Sequence, residues 1–214
     1  MTITSLSQLD LNGTYSYADY LKWRLDVAVE LIKGKIYKMS PAPSLKHQQV
    51  SRQLCGLFYD HFKDKKCQYF NAPFDVRLYD RKKSNRANRG IFTVVQPDIC
   101  VICDESKLDE RGCLGSPDLI IEILSPGNNQ KELKKKFELY QESGVKEYWL
   151  VYPYEESITQ FFLDEDSEKY QLVSVYGCED DITPVLFQDL VIDLDDVFET
   201  YRRIQKEIEA AEND

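Results

Sequence analysis

Apolar residues along this chain change their spacing several times, and each change marks an element. Two short alternating runs between Val27 and Met39 flank Lys33-Gly34 and predict a β-hairpin. Before it, Tyr15 to Trp23 reads as a short amphipathic helix with Ser16 as its cap. Ser40-Pro41-Ala42-Pro43 breaks the pattern. Ser44 then caps a helix running to about Lys65, with Val50, Leu54, Leu57, Phe58 and Phe62 on its inner face. A strand follows from Cys67 to Tyr79, and two apolar runs, Val94 to Ile102 and Pro117 to Leu124, read as buried strands. Lys131 to Ser143 predicts a helix stopped by Gly144. Val145 to Pro153 is the next strand, and Ser157 to Leu163 with Lys169 to Tyr176 extends the sheet in antiparallel fashion. Leu194, Val197, Tyr201, Ile204 and Ile208 recur at steps of three and four, the mark of an amphipathic helix over about 195–211. That helix packs on its own domain or serves a dimer. With no repeat or linker, residues 1–214 are expected to form a single domain with its core over about 25–194.

Within the two apolar runs stand the acids Asp98 and Glu122, and a buried strand rarely carries an unpaired carboxylate. The polar connection between the runs, Asp104 to Ser116, is centred on Glu110. A symmetric antiparallel pairing about that centre sets Asp98 directly opposite Glu122, on the same face, with Cβ atoms roughly 5 Å apart. Two carboxylates at that separation repel unless a cation lies between them. Such a pair, with room for water, suits Mg²⁺, which uses one or two acidic oxygens and keeps much of its hydration. Asp118 shares the face of Glu122 but lies about 13 Å away along the strand, too far to join it.

Composition narrows the class. The chain has 214 residues, enough for a core, and a net charge of -10 that argues against coating nucleic acid by bulk attraction. One local exception is Arg81 to Arg89, with five basic residues in nine, which is either a solvated loop or a phosphate contact. No run is long enough to span a membrane and no signal peptide is visible at Met1, so a cytoplasmic protein is expected. The six cysteines lack framework spacing and read as reduced thiols; Cys100 and Cys103 form a CxxC whose side chains diverge along an extended strand.

The helix after Glu122 carries Lys131, Lys134, Lys135 and Lys136 beside an apolar stripe of Leu133, Phe137 and Tyr140. At about 100° per residue Lys135 and Lys131 point away from the stripe and Lys134 to one side, whereas Lys136 stands on its margin. From there Lys136 either snorkels to solvent or reaches the carboxylates.

Gln96-Pro97-Asp98, Gly115 to Pro126, Lys136 to Tyr140 and Gly144 to Val151, in that order, resemble the Uma-type restriction endonuclease family, a branch of the PD-(D/E)XK nuclease superfamily. The resemblance implies a restriction-endonuclease-like α/β (α+β) fold, a mixed central sheet flanked by helices. It also implies Mg²⁺ (or Mn²⁺) and phosphodiester hydrolysis in nucleic acid, with DNA the expected substrate and a homodimer allowed. Asp98 matches the acid of the PD motif and Glu122 the acid of the (D/E)XK motif. Leu124 stands where that motif has lysine, and Lys136 matches a lysine moved to the following helix. Glu30 and His47 also fall on family positions as supporting groups. Glu132 and Tyr152 occupy positions where Asp is common, and Tyr152 does not keep the charge. The expected activity is therefore a metal-dependent endonuclease using Asp98, Glu122, Lys136, Glu30 and His47. The alternatives are a catalytically inactive nuclease-fold protein acting as a binding or regulatory module, and a structural domain with both acids paired to basic side chains.

Overall fold

The computed structural model describes residues 2–39, 43–79, 90–126 and 130–212. The chain runs through α1 (Tyr17–Tyr20), β1 (Val29–Ile32), β2 (Lys35–Lys38), α2 (Leu45–Phe62), β3 (Gln68–Asn71), β4 (Val76–Leu78), β5 (Thr93–Val95) and β6 (Ile99–Ile102). Next come β7 (Leu108–Asp109), β8 (Gly112–Leu114), β9 (Leu119–Ile123), α3 (Gln130–Ser143) and β10 (Glu147–Tyr152). It ends with β11 (Ser157–Asp164), β12 (Lys169–Gly177), β13 (Asp181–Ile182), β14 (Ile192–Asp193) and α4 (Leu194–Glu212).

The expected α+β fold of mixed sheet flanked by helices is present, with the sheet divided in two, β2-β1-β5-β4-β8-β7 and β12-β11-β10-β9-β6-β3, and with β13 and β14 paired separately. The difference has a local cause. Each of two expected strands divides at a proline and changes sheet: Cys67–Tyr79 becomes β3 and β4 around Ala72-Pro73, and Val94–Ile102 becomes β5 and β6 around Gln96-Pro97. Proline has no N–H to continue a ladder, so the chain leaves one sheet there and enters the other. β4 then pairs with β5, and β3 with β6.

The second sheet is covered on both faces. Ile99, Val101, Leu119, Ile121 and Trp149 pack against Val50, Leu54 and Phe58 of α2 and Leu194, Val197 and Phe198 of α4. Alternate residues Cys100, Ile102, Ile120 and Tyr148 face Leu139 and Tyr140 of α3 and Val76 and Val95 of the first sheet. The far side of the first sheet is closed by Leu9, Tyr17 and Trp23. Glu122 shares the parity of Ile120, so it points into the layer beneath α3.

The expected hairpin forms with Glu30 opposite Tyr37. Lys33 (φ 51°) and Gly34 (φ 80°) both adopt left-handed backbone, the turn whose twist suits a two-residue hairpin. Ser44 caps α2 as expected, its hydroxyl accepting from the His47 N–H at 3.3 Å, which holds His47 in the first turn. α4 packs on α2 within the chain, with Gln53 Nε2 donating to Thr200 Oγ1 at 2.9 Å. Phe198 joins the buried stripe, whereas Tyr201 and Ile204 are half-buried, and the side chain of Ile208 lies outside the described set. The basic segment 81–89 also lies outside the described residues. Among the described residues no helix is long and apolar enough to cross a membrane.

Not all six cysteines are the reduced thiols expected. Cys67 and Cys103 are joined by a disulfide, while Cys55, Cys100, Cys113 and Cys178 are free. The β3–β6 register pairs Gln68 with Ile102, and its next step sets Cys67 against Cys103. A sequence separation of 36 hid that adjacency. Cys100 and Cys103 do diverge, Cys100 into the layer under α3 and Cys103 toward the α2 side.

Candidate active site

The connection between Asp98 and Glu122 is more than a loop, since β7 and β8 form within it and join the first sheet. Its symmetry nonetheless predicts the correct register. β6 and β9 pair Ile99 with Ile121, Cys100 with Ile120 and Val101 with Leu119, and one further step sets Asp98 opposite Glu122. Asp98 itself occupies the bend just before β6, where its carbonyl accepts from the Ala72 N–H at 3.0 Å. Asp98 Oδ2 accepts from the Ile123 N–H at 2.8 Å, so this carboxylate is fixed to the backbone of the strand that carries Glu122.

Glu122 is buried beneath α3. Lys136 Nζ donates to its Oε1 at 3.0 Å and Oε2 at 3.2 Å, and the Tyr140 hydroxyl donates to Oε1 at 2.6 Å. The margin position inferred for Lys136 thus resolves inward. Its ammonium also lies 3.2 Å from Glu30 Oε1, which accepts the Gln96 N–H at 2.9 Å. Lys136 is therefore held between glutamates from two different sheets. Lys135 is exposed, as its phase predicts, and reaches Tyr37 across the hairpin with an Nζ–hydroxyl distance of 2.9 Å. Leu124 packs in the apolar layer with Leu139 and Tyr140, so the ammonium near Glu122 arrives from α3 rather than from β9.

His47 is not a surface group. Its side chain is 8% exposed, and Nε2 lies 3.3 Å from Asp98 Oδ1. Its Nδ1 is buried with no hydrogen-bond partner in the described structure. Asp118 is separate from this group, as its strand distance requires: it accepts from the Cys103 N–H at 2.9 Å and pairs with Lys146 at 3.1 Å. Glu30, His47, Asp98, Glu122 and Lys136 all line one cleft of about 450 Å³, with Glu132 and Lys135 on its rim. Tyr152 is half-buried against the apolar layer under α3.

The electrostatics favour added positive charge. Burial pushes the Glu122 carboxyl up to about 7; Lys136 works against the rise, and the charges of Asp98 and Glu30 add to it. Burial likewise disfavours the Lys136 ammonium, but Glu122 and Glu30 outweigh that cost and raise its pKa, so it stays charged. Glu122 and Glu30 thus share Lys136, and the third acid, Asp98, has His47 beside it. Asp98 and Glu122 could hold a divalent ion that relieves this surplus. No group of three His, Cys, Asp or Glu side chains among the described residues is arranged to enclose an ion, so water would complete its shell, in the manner of Mg²⁺.

Residues 17–195 match the Uma2 family, described as "Putative restriction endonuclease". The chain belongs to the Uma2 family. An uncharacterized protein of Synechocystis sp. is 26% identical over 153 residues, covering 70% of this chain and 75% of the relative. A crystal structure from Anabaena variabilis, described as a "putative nuclease" of DUF820, superposes with a TM-score of 0.65 at 21% identity. That match covers 86% of this chain and 98% of the other and establishes a shared fold. Membership in Uma2 makes this chain part of a nuclease-type family.

Two groups escaped the reading of the sequence. Tyr140 was legible as part of the apolar stripe, yet its hydroxyl is a ligand of Glu122; its place four residues after Lys136, on the same helix face, was the available signal. The Gln96 N–H on Glu30 is a backbone contact between separated strands, for which side-chain patterns hold no signal.

Proposed function

We propose that this protein is a Mg²⁺-dependent endonuclease that hydrolyses phosphodiester bonds, with DNA as its nucleic acid. The observation that carries the reading is the convergence of opposed Asp98 and Glu122 with Lys136 in one concave cleft. Asp98 and Glu122 would hold the ion, with Mn²⁺ able to substitute. A bound divalent cation lowers the pKa of water and offsets negative charge on phosphoryl oxygens. Lys136, kept charged by Glu122 and Glu30, orients the attacking water and balances charge that grows on the phosphate. Glu30 holds the lysine through Oε1, which Lys136 and the Gln96 N–H engage. His47 steadies the Asp98 carboxylate, with Nε2 3.3 Å from Oδ1. The reading places the protein in the cytoplasm, and a homodimer would supply the two sites needed for a double-strand cut. The direct test is cleavage of plasmid and oligonucleotide DNA with Mg²⁺, Mn²⁺ or a chelator; no ion-dependent cleavage under any condition sinks the proposal.

A pH dependence follows from Glu122. At limiting Mg²⁺, cleavage is expected to rise through about pH 7 as this carboxyl loses its proton, and saturating Mg²⁺ should move the midpoint down because a cation favours the carboxylate. Stability runs the other way. The folded-state pKa lies above the ordinary 4.5, so this group's contribution is fully present below 4.5 and is lost as pH rises through about 7. Initial rates and melting temperatures between pH 5 and 8.5 would check both trends; a rate profile flat across that range contradicts the assignment of Glu122.

A second reading, a nuclease-fold binding or regulatory module, is favoured by the absence of an enclosing ion cage among the described residues. Both Glu122 oxygens also already have donors. It predicts no heat of Mg²⁺ or Mn²⁺ binding by calorimetry and no hydrolysis, while a partner still binds.

A further inference from the structure

We infer that Tyr140 is a positioning residue that orients Glu122 for the divalent ion, an inference that rests on the proposed nuclease reading. The buried Glu122 carboxylate receives three contacts from α3. Oε1 accepts from both Tyr140 at 2.6 Å and Lys136 at 3.0 Å, whereas Oε2 is approached by Lys136 alone among the described residues, at 3.2 Å. A carboxylate has about four lone-pair sites, so Oε2 keeps the larger unused share. Tyr140 thereby differentiates two oxygens that a lysine alone would leave nearly equivalent.

The tyrosine is itself immobile. Its ring is fully buried, sits edge-on to Tyr148 with centroids 5.2 Å apart, and belongs to the layer that includes Leu124 and Leu139. Packing therefore fixes where its hydroxyl points, and the hydroxyl fixes Glu122. Asp98, across the sheet, is fixed separately by the Ile123 N–H. The two acids are thus each braced by a donor of the protein, Tyr140 from behind the cleft and the Ile123 N–H within β9, which sets their oxygens before any ion enters. Partners of this outer kind typically change metal affinity when removed, although they never touch the metal. Tyr148 provides an internal contrast: it lies in the same layer, but its buried hydroxyl has no hydrogen-bond partner in the described structure.

The test compares wild type, Tyr140→Phe and Tyr148→Phe as full chains. Mn²⁺ alone is titrated and followed by electron paramagnetic resonance, and folding is checked by thermal melting. Tyr140→Phe is expected to weaken Mn²⁺ binding by about 10- to 100-fold and to lower kcat with KM for DNA unchanged, while Tyr148→Phe matches wild type. A folded Tyr140→Phe that binds Mn²⁺ within about twofold of wild type overturns the inference and leaves the nuclease reading standing. A wild type that neither binds Mn²⁺ nor cleaves overturns both. A measurement on the wild type needs no variant: its Tyr140 hydroxyl proton resonance should shift on adding Mg²⁺ and that of Tyr148 should not. An unmoved Tyr140 signal at saturating Mg²⁺ also overturns the inference.

Discussion

Asp98→Ala is expected to lower Mg²⁺-dependent cleavage by about a thousandfold, the order of effect seen when a principal electrostatic group is removed from an active site. Its side chain is 22% exposed on the cleft and engages only the Ile123 N–H and His47 among the described residues, so the variant should still fold. Its loss takes away one of the two carboxylates proposed to hold the ion. Lys136→Ala should fall as far, through loss of the group that orients water. Gel assays of plasmid cleavage at matched Mg²⁺ would decide the matter: equal rates in wild type and both variants would remove Asp98 and Lys136 from the chemistry.

The second large effect is on stability. Lys136→Met should destabilise the fold by about 3–5 kcal/mol near pH 8, because it strands Glu122 and Glu30 without their cation. Both partners are less than a tenth exposed, so solvent screens them little. For a chain of this size that cost corresponds to a drop in melting temperature on the order of 10 °C. The penalty should shrink below the Glu122 pKa of about 7, where that carboxyl takes up a proton and no longer needs the ammonium. Adding Glu122→Gln to Lys136→Met should recover part of the loss. Melting curves of wild type and both variants at pH 6 and 8 supply the check; an unchanged melting temperature for Lys136→Met at pH 8 would mean that the lysine is not bracing these acids.

Much of the secondary structure could be read because its causes are local. The Ser44 cap, the Lys33-Gly34 turn and the Gly144 stop each act through neighbouring backbone, so residue identity carries the information. The β6–β9 register was legible for a related reason: a symmetric connection leaves one simple pairing, and a shift by one residue would turn Glu122 to the α2 face. Division of two expected strands between sheets was not legible from periodicity, although Pro73 and Pro97 stood at the break points. A proline states where a ladder stops and is silent about which sheet the chain enters next.

By itself, the sequence determined that Asp98 and Glu122 stand opposite each other on neighbouring apolar runs and that Lys136 stands at the edge of a buried helix face, because strand alternation and helix phase are set by local geometry. Tertiary structure decided the rest. It turned Lys136 inward to two glutamates, set His47 on Asp98, placed the Tyr140 hydroxyl on Glu122 and joined Cys67 to Cys103. Each of these contacts joins residues on different elements, and their distances depend on how sheets and helices stack, which no single period in the chain encodes.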